Sequence, residues 1–180
     1  MLSKSLSALK DYELLDTGDG MRLERWGEYI LQRPDPQIIW QRHLSDEVWD
    51  QADAIFEGKG ETGTWIENKP INQPWPVNFG DITLLARLTP FKHTGIFSEQ
   101  AANWTWLTDQ IKNFTPSDGG KPKILNLFAY TGGASIALAK LGCFVTHVDA
   151  SKPSIGWAKE NQVLNKIPAD SIRWILDDAI

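Results

Sequence analysis

The chain has 180 residues, 42% of them apolar, which is enough to bury the core of one domain or of a small domain joined to part of a larger one. Its formal net charge of −5 is uneven, because residues 1–90 hold nine Lys and Arg against fifteen Asp and Glu, whereas residues 91–180 hold nine against eight. The acidic first half argues against a broad phosphate-binding surface there. No apolar window approaches the roughly 18 residues that span a bilayer, and the N-terminus lacks the apolar core of a secretory signal, so we expect a cytoplasmic protein without membrane contact.

The single cysteine, Cys143, cannot form an internal disulfide and has no partner cysteine for a metal site. It lies at the start of an apolar run, which favours a buried structural role. We therefore expect no metal.

The first half of the chain has the pattern of a small β-rich region. Apolar runs flank Gly18-Asp19-Gly20, and Asp-Gly predicts a β-hairpin that ends at Pro34. A polar stretch follows over residues 41–69, with a loop-like GKGETG at residues 58–63, and residues 82–88 predict a further strand. Five tryptophans are expected to fill a core, although a stacking surface for bases stays open.

A helix is predicted after Pro90. Ser98 is the candidate N-cap, and Pro116 ends the helix. Apolar residues recur at spacings of three and four and form one stripe. They are Ala101, Trp104, Leu107, Ile111 and Phe114.

Strands and helices alternate from residue 124 onward. Strands are predicted over residues 124–129, 144–148 and 172–176, and helices over residues 133–141 and 153–166. This order predicts a doubly wound parallel sheet with right-handed crossovers. The expected domains are residues 1–90 and residues 91–180.

Ligands bind such sheets at the carboxyl ends of the strands. Three such ends are visible: the glycine turn AYTGG at Ala129–Gly133, Asp149, and the pair Asp177 and Asp178. A carboxylate after the second strand can accept hydrogen bonds from ribose hydroxyls, as NAD and S-adenosylmethionine both require. The glycine turn lacks the G-x-G-x-x-G spacing that holds a pyrophosphate, which favours S-adenosylmethionine. The alternative, in which Asp149 and Asp178 only cap helices, stays open.

Three strings extend this pattern: LNLFAYTGGASIALAKLG, THVDASKPSIGWAKENQVLN and IRWILDDA. Together with TPFKHTGIFSEQAANWTWL at residues 89–107, they resemble the class I S-adenosylmethionine-dependent methyltransferases. The resemblance is closest to the bacterial branch with the 23S ribosomal RNA cytosine-5 methyltransferases. It covers residues 80–180 and implies a Rossmann-like α/β core. The first 79 residues resemble, less specifically, the β-rich accessory region of some relatives.

The resemblance also implies a set of cofactor-binding residues. Asp149 would bind the ribose hydroxyls and Asp178, with its neighbour Asp177, would approach the adenine, beside Ala150 and Ser151. Asn126 stands where many relatives have an acid, and Phe97 and Glu99 would close over the cofactor, although a helix-start role for Glu99 stays open. The methionine end would be wrapped by Phe128, Ala129, Tyr130, Thr131 and Gly132.

The catalytic residues of such relatives fall outside this sequence. Their proline-rich loop and nucleophilic cysteine are expected beyond Ile180, so the chain would hold the first three core strands and the cofactor half of an RNA-modifying enzyme. Alone it is expected to be inactive and to self-associate through the open edge at Ile124–Ala129. An NAD(P)-dependent oxidoreductase and a noncatalytic RNA-binding module remain the alternatives.

Overall fold

The computed structural model describes residues 9–59 and 62–180, which form two compact units. The β unit comprises the described residues up to Gly80 together with Ala86–Gly95. The sheet–helix unit comprises Asp81–Leu85 and Ile96–Ile180. The predicted domain boundary at residue 90 falls within the segment Ala86–Gly95, which groups with the β unit.

The β unit is built on a sheet of five strands: β1 Tyr12–Gly18, β2 Met21–Trp26, β3 Tyr29–Pro34, β4 Ala54–Lys59 and β5 Thr62–Glu67. Their order in the sheet is β1-β2-β3-β4-β5. All neighbours pair antiparallel except β3 and β4, which run parallel. The unit also contains β6 at Trp75–Phe79 and a short helix, α1, at Asp46–Trp49.

The predicted hairpin at Asp19-Gly20 is confirmed, but the segment up to Pro34 holds three strands and not two. Asp19 and Gly20 have φ of 51° and 75°, the left-handed conformation of a tight reversal between twisted strands. A second reversal occurs at Gly27, where φ is 64°. The sequence prediction missed it because Gly27 is followed by Glu28 and lies in no Asp-Gly or Asn-Gly pair.

The segment GKGETG at residues 58–63 was predicted as a loop, and this prediction is wrong for residues 58–59 and 62–63. They belong to the antiparallel pair β4–β5, in which Phe56 lies opposite Trp65. Only two of six residues in β5 are even partly buried, so the strand has little of the apolar alternation that identifies strands in a sequence. Residues 60 and 61 lie outside the described residues.

The core of the β unit is rich in tryptophan. Trp26, Trp49 and Trp75 have at most 2% of their surface exposed, which confirms the expected core role for these three. Trp40 differs, since it is 47% exposed. Beside this core Glu24 is fully buried, and its carboxylate accepts hydrogen bonds from the guanidinium of Arg33.

The sheet–helix unit contains the predicted parallel sheet. Its elements are β7 Ile82–Ala86, α2 Ala101–Lys112, β8 Lys123–Asn126, α3 Gly133–Lys140, β9 Phe144–Asp149, α4 Lys152–Leu164 and β10 Ile172–Leu176. The order of the parallel sheet is β10-β9-β8, so β9 is central, and both pairings are parallel. Helices α3 and α4 follow β8 and β9, as predicted.

The start of α2 departs from the prediction. Ser98 opens a short 3-10 turn, Ser98–Gln100, whose side chains form no cap, and the α-helix begins only at Ala101. Ser98 is therefore not the helix N-cap. The predicted stripe is half-buried from Trp104 onward, but its last member, Phe114, is 56% exposed because the helix has ended two residues before it.

Helix α4 holds the backbone of β7 through side chains. The Asn165 side chain donates to the Thr83 carbonyl at 2.6 Å and accepts from the Thr83 N–H at 3.0 Å. One turn earlier, Asn161 Oδ1 accepts from the Leu85 N–H at 2.9 Å. Trp157 Nε1 completes the row by donating to the Leu85 carbonyl at 3.0 Å. These side chains thus satisfy backbone groups that a neighbouring strand would otherwise pair.

Candidate functional site

The loop after β8 is backbone-strained. The strand ends at Asn126, three residues before the predicted end at Ala129. It stops there because Phe128 and Tyr130 adopt left-handed conformations, with φ of 53° and 52°. Bulky side chains rarely adopt such φ, and strain of this kind concentrates at ligand sites.

The loop ends in two glycines, Gly132 and Gly133, and each position requires glycine for a different reason. Gly132 has φ of 91° and marks the N-terminus of α3. At Gly133 the ring of Trp104 takes the space of a side chain, because an added Cβ would lie 2.3 Å from Trp104 Cζ2. The loop can therefore turn tightly and α2 can approach the start of α3.

A cleft of about 450 Å³ lies against this loop. Its volume falls within the range of about 300–1,000 Å³ usual for small-molecule sites. Over it, the rings of Phe97 and Tyr130 lie 5.2 Å apart, centroid to centroid. The lining comprises Leu84, Ile96, Phe97, Glu99, Gln100, Trp104 and the continuous segment from Asn126 to Ala134.

Seven predicted cofactor-binding residues line the cleft together. They are Phe97, Asn126, Phe128, Ala129, Tyr130, Thr131 and Gly132. Phe128 presents 66% of its surface, whereas Thr131 is buried. Asp149, Ala150, Ser151, Asp177 and Asp178 are not among the lining residues, although Asp149 contacts the loop.

Asp149, the last residue of β9, binds the loop after β8 through its carboxylate. Its Oδ2 accepts from the Tyr130 N–H at 2.7 Å and its Oδ1 from the Ser151 N–H at 2.9 Å. The cap of α4 is a different residue, since Ser151 Oγ accepts from the Ser154 N–H at 3.2 Å. The carboxylate of Asp149 is half-buried and keeps lone pairs for a further donor.

The third strand end lies beside the second. The Asp177 N–H donates to the Asp149 carbonyl at 3.2 Å. Asp178 is exposed, and no helix follows it within the described part of the chain. The contributions of Ala150, Ser151, Asp177 and Asp178 to binding stay predictions.

A buried polar relay behind the cleft was not predicted from the sequence. Asn126 Nδ2 donates to Ser135 Oγ at 2.9 Å, and Ser135 Oγ lies 3.0 Å from His147 Nδ1. Ser135 and His147 have no exposed surface. The relay joins the end of β8, the first turn of α3 and the middle of the sheet.

The imidazole of His147 is held neutral. Burial lowers the pKa of His147 to about 4. The Asp149 carboxylate and the Tyr130 backbone both raise this pKa, but burial has the larger effect. No hydrogen bond of ordinary geometry reaches its Nε2 from the described residues. The ring packs below the turn, because a Cβ added at Gly132 would lie 3.8 Å from His147 Cε1.

Asn161 is a second residue that the sequence reading missed. Its Nδ2 donates to the Thr131 carbonyl at 2.9 Å while its Oδ1 holds β7. It is fully buried. The signal in the sequence was an asparagine inside a predicted helix, but its partners are 30 and 76 residues away in the chain.

Within residues 9–59 and 62–180, no group of three or more His, Cys, Asp or Glu side chains is arranged to hold a metal ion. None of the helices in these residues has the length and apolarity to cross a bilayer.

Comparison with known proteins identifies relatives of the chain. No protein-family model matches. Ribosomal RNA large subunit methyltransferase K/L of Shewanella oneidensis is 44% identical over 83% of this chain, and that of Shewanella frigidimarina is 39% identical over 84%. A crystal structure of a SAM-dependent methyltransferase from Agrobacterium tumefaciens is 43% identical, with a TM-score of 0.89 over 96% of this chain.

The matches cover only part of each relative. The chain spans 23% of both Shewanella proteins and 54% of the Agrobacterium protein. Within that segment the fold is the methyltransferase fold with mixed α/β sheets. The chain is thus a relative of the S-adenosylmethionine-dependent methyltransferases, related to ribosomal RNA large subunit methyltransferase K/L.

Proposed function

We propose that the chain forms the S-adenosylmethionine-binding part of a methyltransferase that acts on RNA, and on ribosomal RNA in particular. The observation that carries the proposal is the hydrogen bond between Asp149 and the Tyr130 backbone. It holds an acid of the second strand beside a cleft formed by the first strand's loop. Identities of 39 to 44% to proteins named as methyltransferases support the same reading.

The residues of the cleft fit this cofactor. S-adenosylmethionine has no phosphate, and the loop lacks the glycine spacing that a pyrophosphate needs. The Phe97 and Tyr130 rings and the backbone of Phe128–Gly132 would hold its methionine end. Asp149 would accept from the ribose hydroxyls, with Ala150, Ser151, Asp177 and Asp178 on the adenine side.

The bound cofactor would supply an activated methyl group to a nucleophile of the substrate, and S-adenosylhomocysteine would be the leaving group. The cleft residues would hold the methyl donor in line with the acceptor. Such alignment can itself provide a large share of the rate enhancement. No residue of the cleft is needed as a proton donor for that task. An oxidoreductase role has no observation in its favour, since it would need a pyrophosphate turn.

The finer assignments belong to the same proposal. We assign the cytosine-5 branch and place the reacting residues outside residues 1–180, so that the three parallel strands form part of a larger core. The substrate partner is RNA, although the net acidic first half of the chain offers it no broad basic surface. The cytoplasmic location stays a prediction.

A chimaera tests the proposal. This chain would replace the matched 54% of the Agrobacterium methyltransferase, and transfer of tritium from labelled S-adenosylmethionine to bulk RNA would be measured. We expect ribonuclease-sensitive label from the chimaera and none from the chain alone. Asp149→Ala should remove the label, whereas Asp170→Ala, which changes an exposed acid outside the cleft, should not. Label in protein, or no label from a folded chimaera, would contradict an RNA methyltransferase.

A further inference from the structure

We infer that an exposed apolar surface of the β unit, with an acidic cavity beside it, docks a segment of another protein that is rich in lysine or arginine and also carries apolar side chains. This Trp40 surface comprises Ile39, Trp40 and Leu44. None of its residues lines the cleft, so the inferred docking goes beyond the proposed function.

The Trp40 surface presents three large apolar side chains to solvent. Ile39 is 90% exposed, Trp40 47% and Leu44 39%. The Asp19 N–H donates to the Trp40 carbonyl at 2.7 Å, and Asp19 and Leu44 both line a cavity of about 430 Å³. The apolar side chains and the cavity therefore belong to one surface. Apolar side chains that cluster on a surface, with polar groups around them, mark interaction sites.

Hydrogen bonds fix the Trp40 surface to the end of β1. The Trp40 indole Nε1 donates to the carbonyl and to the hydroxyl of Thr17, both at 3.1 Å, which orients the ring and leaves almost half of it exposed. The Leu44 N–H donates to the buried carboxylate of Asp16 at 2.8 Å. A surface whose shape is already fixed loses little conformational entropy when a partner binds.

The cavity carries an excess of negative charge. Its lining includes the carboxylates of Asp19, Asp46 and Glu47 and one cation, Arg42. The Arg42 guanidinium lies over the ring of Trp49, 4.1 Å from its centroid. It is 3.6 Å from the carboxylate of Asp19 and 3.7 Å from that of Asp46, which is beyond hydrogen-bond reach. These carboxylates therefore keep lone pairs for the N–H groups of a second cation.

This charge balance decides the class of partner. An RNA strand could stack a base on Trp40, but its phosphates would meet three carboxylates and only one guanidinium. A lysine or arginine side chain would instead enter the cavity and bind the carboxylates. A neighbouring apolar side chain of the same segment would pack on Ile39 and Trp40. Apolar contacts surrounded by complementary charges are typical of protein–protein interfaces.

Fluorescence anisotropy of labelled peptides, with the whole chain as titrant, tests the docking. The probe is a synthetic peptide of lysine and leucine, compared with one in which glutamate replaces lysine and one in which serine replaces leucine. We expect saturable binding of the lysine–leucine peptide alone. Trp40→Ser should weaken it about tenfold or more. Ile66→Ser is the matched control, because it removes a side chain that is 44% exposed on β5, and it should leave the affinity unchanged.

A second pair of variants tests the charge. Glu47→Lys reverses an acid of the cavity and should weaken the lysine–leucine peptide about threefold or more. Glu57→Lys reverses an exposed acid on β4 and gives the protein the same net charge. Its affinity should stay within about twofold of the unmodified protein, because exposed charges that are well separated are screened by salt. Equal losses in the two variants would overturn the role of the cavity.

Four other results would overturn the docking of a basic protein segment. They are no binding of the lysine–leucine peptide, equal binding of all three peptides, binding of single-stranded RNA that Trp40→Ser abolishes, and self-association in sedimentation velocity that the same substitution abolishes. If Trp40→Ser does not fold, Ile39→Ser decides. Ile39 is 90% exposed, so its loss spares the core and should still weaken the lysine–leucine peptide. No measurement here uses S-adenosylhomocysteine, so failure of the docking leaves the proposed function intact.

Discussion

The carboxylate of Asp149 accepts a hydrogen bond from the backbone N–H of Tyr130 at 2.7 Å, across 19 residues of sequence. Tyr130 has a left-handed backbone conformation, with φ of 52°, and the bond helps to hold it there. The acid at the end of β9 therefore supports the loop after β8 as well as offering an acceptor to a ligand. Loss of this side chain should disturb both.

Asp149→Ala should weaken binding of S-adenosylhomocysteine by roughly 1.5 to 3 kcal/mol, which is about 10- to 150-fold. The reason is the loss of charge-assisted hydrogen bonds to the ribose hydroxyls. Titration calorimetry measures the change. The matched control is Asp170→Ala, which removes an exposed acid of the same unit and should leave affinity unchanged. An unaltered affinity in folded Asp149→Ala protein would remove this acid from the site.

Gly133→Ala should destabilise the protein by about 1 to 3 kcal/mol, because the new methyl group would lie 2.3 Å from Trp104 Cζ2 and force the ring to move. Urea unfolding followed by circular dichroism measures the free energy. Gly156→Ala is the control, since this helical glycine has no atom within 4 Å of an added Cβ. It should stabilise by about 0.5 to 1 kcal/mol. Equal effects of the two substitutions would contradict the close approach of α2 to α3.

Stability should fall as the pH is lowered from about 6.5 to about 4, because of His147. Its pKa is lowered to about 4 in the folded protein, so over this interval the unfolded chain binds a proton that the folded chain does not. The slope contributed is at most about 1.4 kcal/mol per pH unit. His147→Gln should flatten it. The other two histidines are present in both proteins and cancel in the comparison. Parallel pH profiles would show that His147 does not titrate in this way.

Much of the sheet–helix unit could be predicted from its sequence, because local signals agree there with the tertiary fold. The apolar run at β10 has the bounds that were predicted, and α4 begins at Lys152, one residue before the predicted start, with Ser151 as its cap. The end of β8 could not be predicted. Its last predicted residues, up to Ala129, are apolar, but the loop places them in strained turns that only the surrounding contacts support.

The parts that were missed depend on distant partners. Strand β5 has weak alternation and forms because β4 pairs with it. In the sequence, Ser135 and His147 look like ordinary residues of a helix and a strand. Their contact forms only because α3 packs on β9. Pairing of buried polar side chains is a tertiary property, so a sequence without its relatives gives no direct signal of it.

The open edge of β8 should promote self-association. The strand pairs with β9 on one side and with no described strand on the other, and Leu125 is 64% exposed. The strand begins with Lys123, but Ile124, Leu125 and Asn126 carry no charge, and an uncharged, mostly apolar edge segment invites pairing with another chain. Leu125→Lys should reduce the associated fraction in sedimentation velocity. Val163→Lys alters a residue that is 76% exposed on α4, away from the edge, and should not. Equal reduction by both would point to general surface hydrophobicity.

The cleft beside Asp149 should bind S-adenosylmethionine and not a dinucleotide. Titration calorimetry of the same protein with S-adenosylhomocysteine and, separately, with NADH distinguishes the two ligands. We expect saturable binding of S-adenosylhomocysteine, weakened in Asp149→Ala, and no heat from NADH beyond dilution. Binding of NADH alone, lost in the same variant, would contradict it.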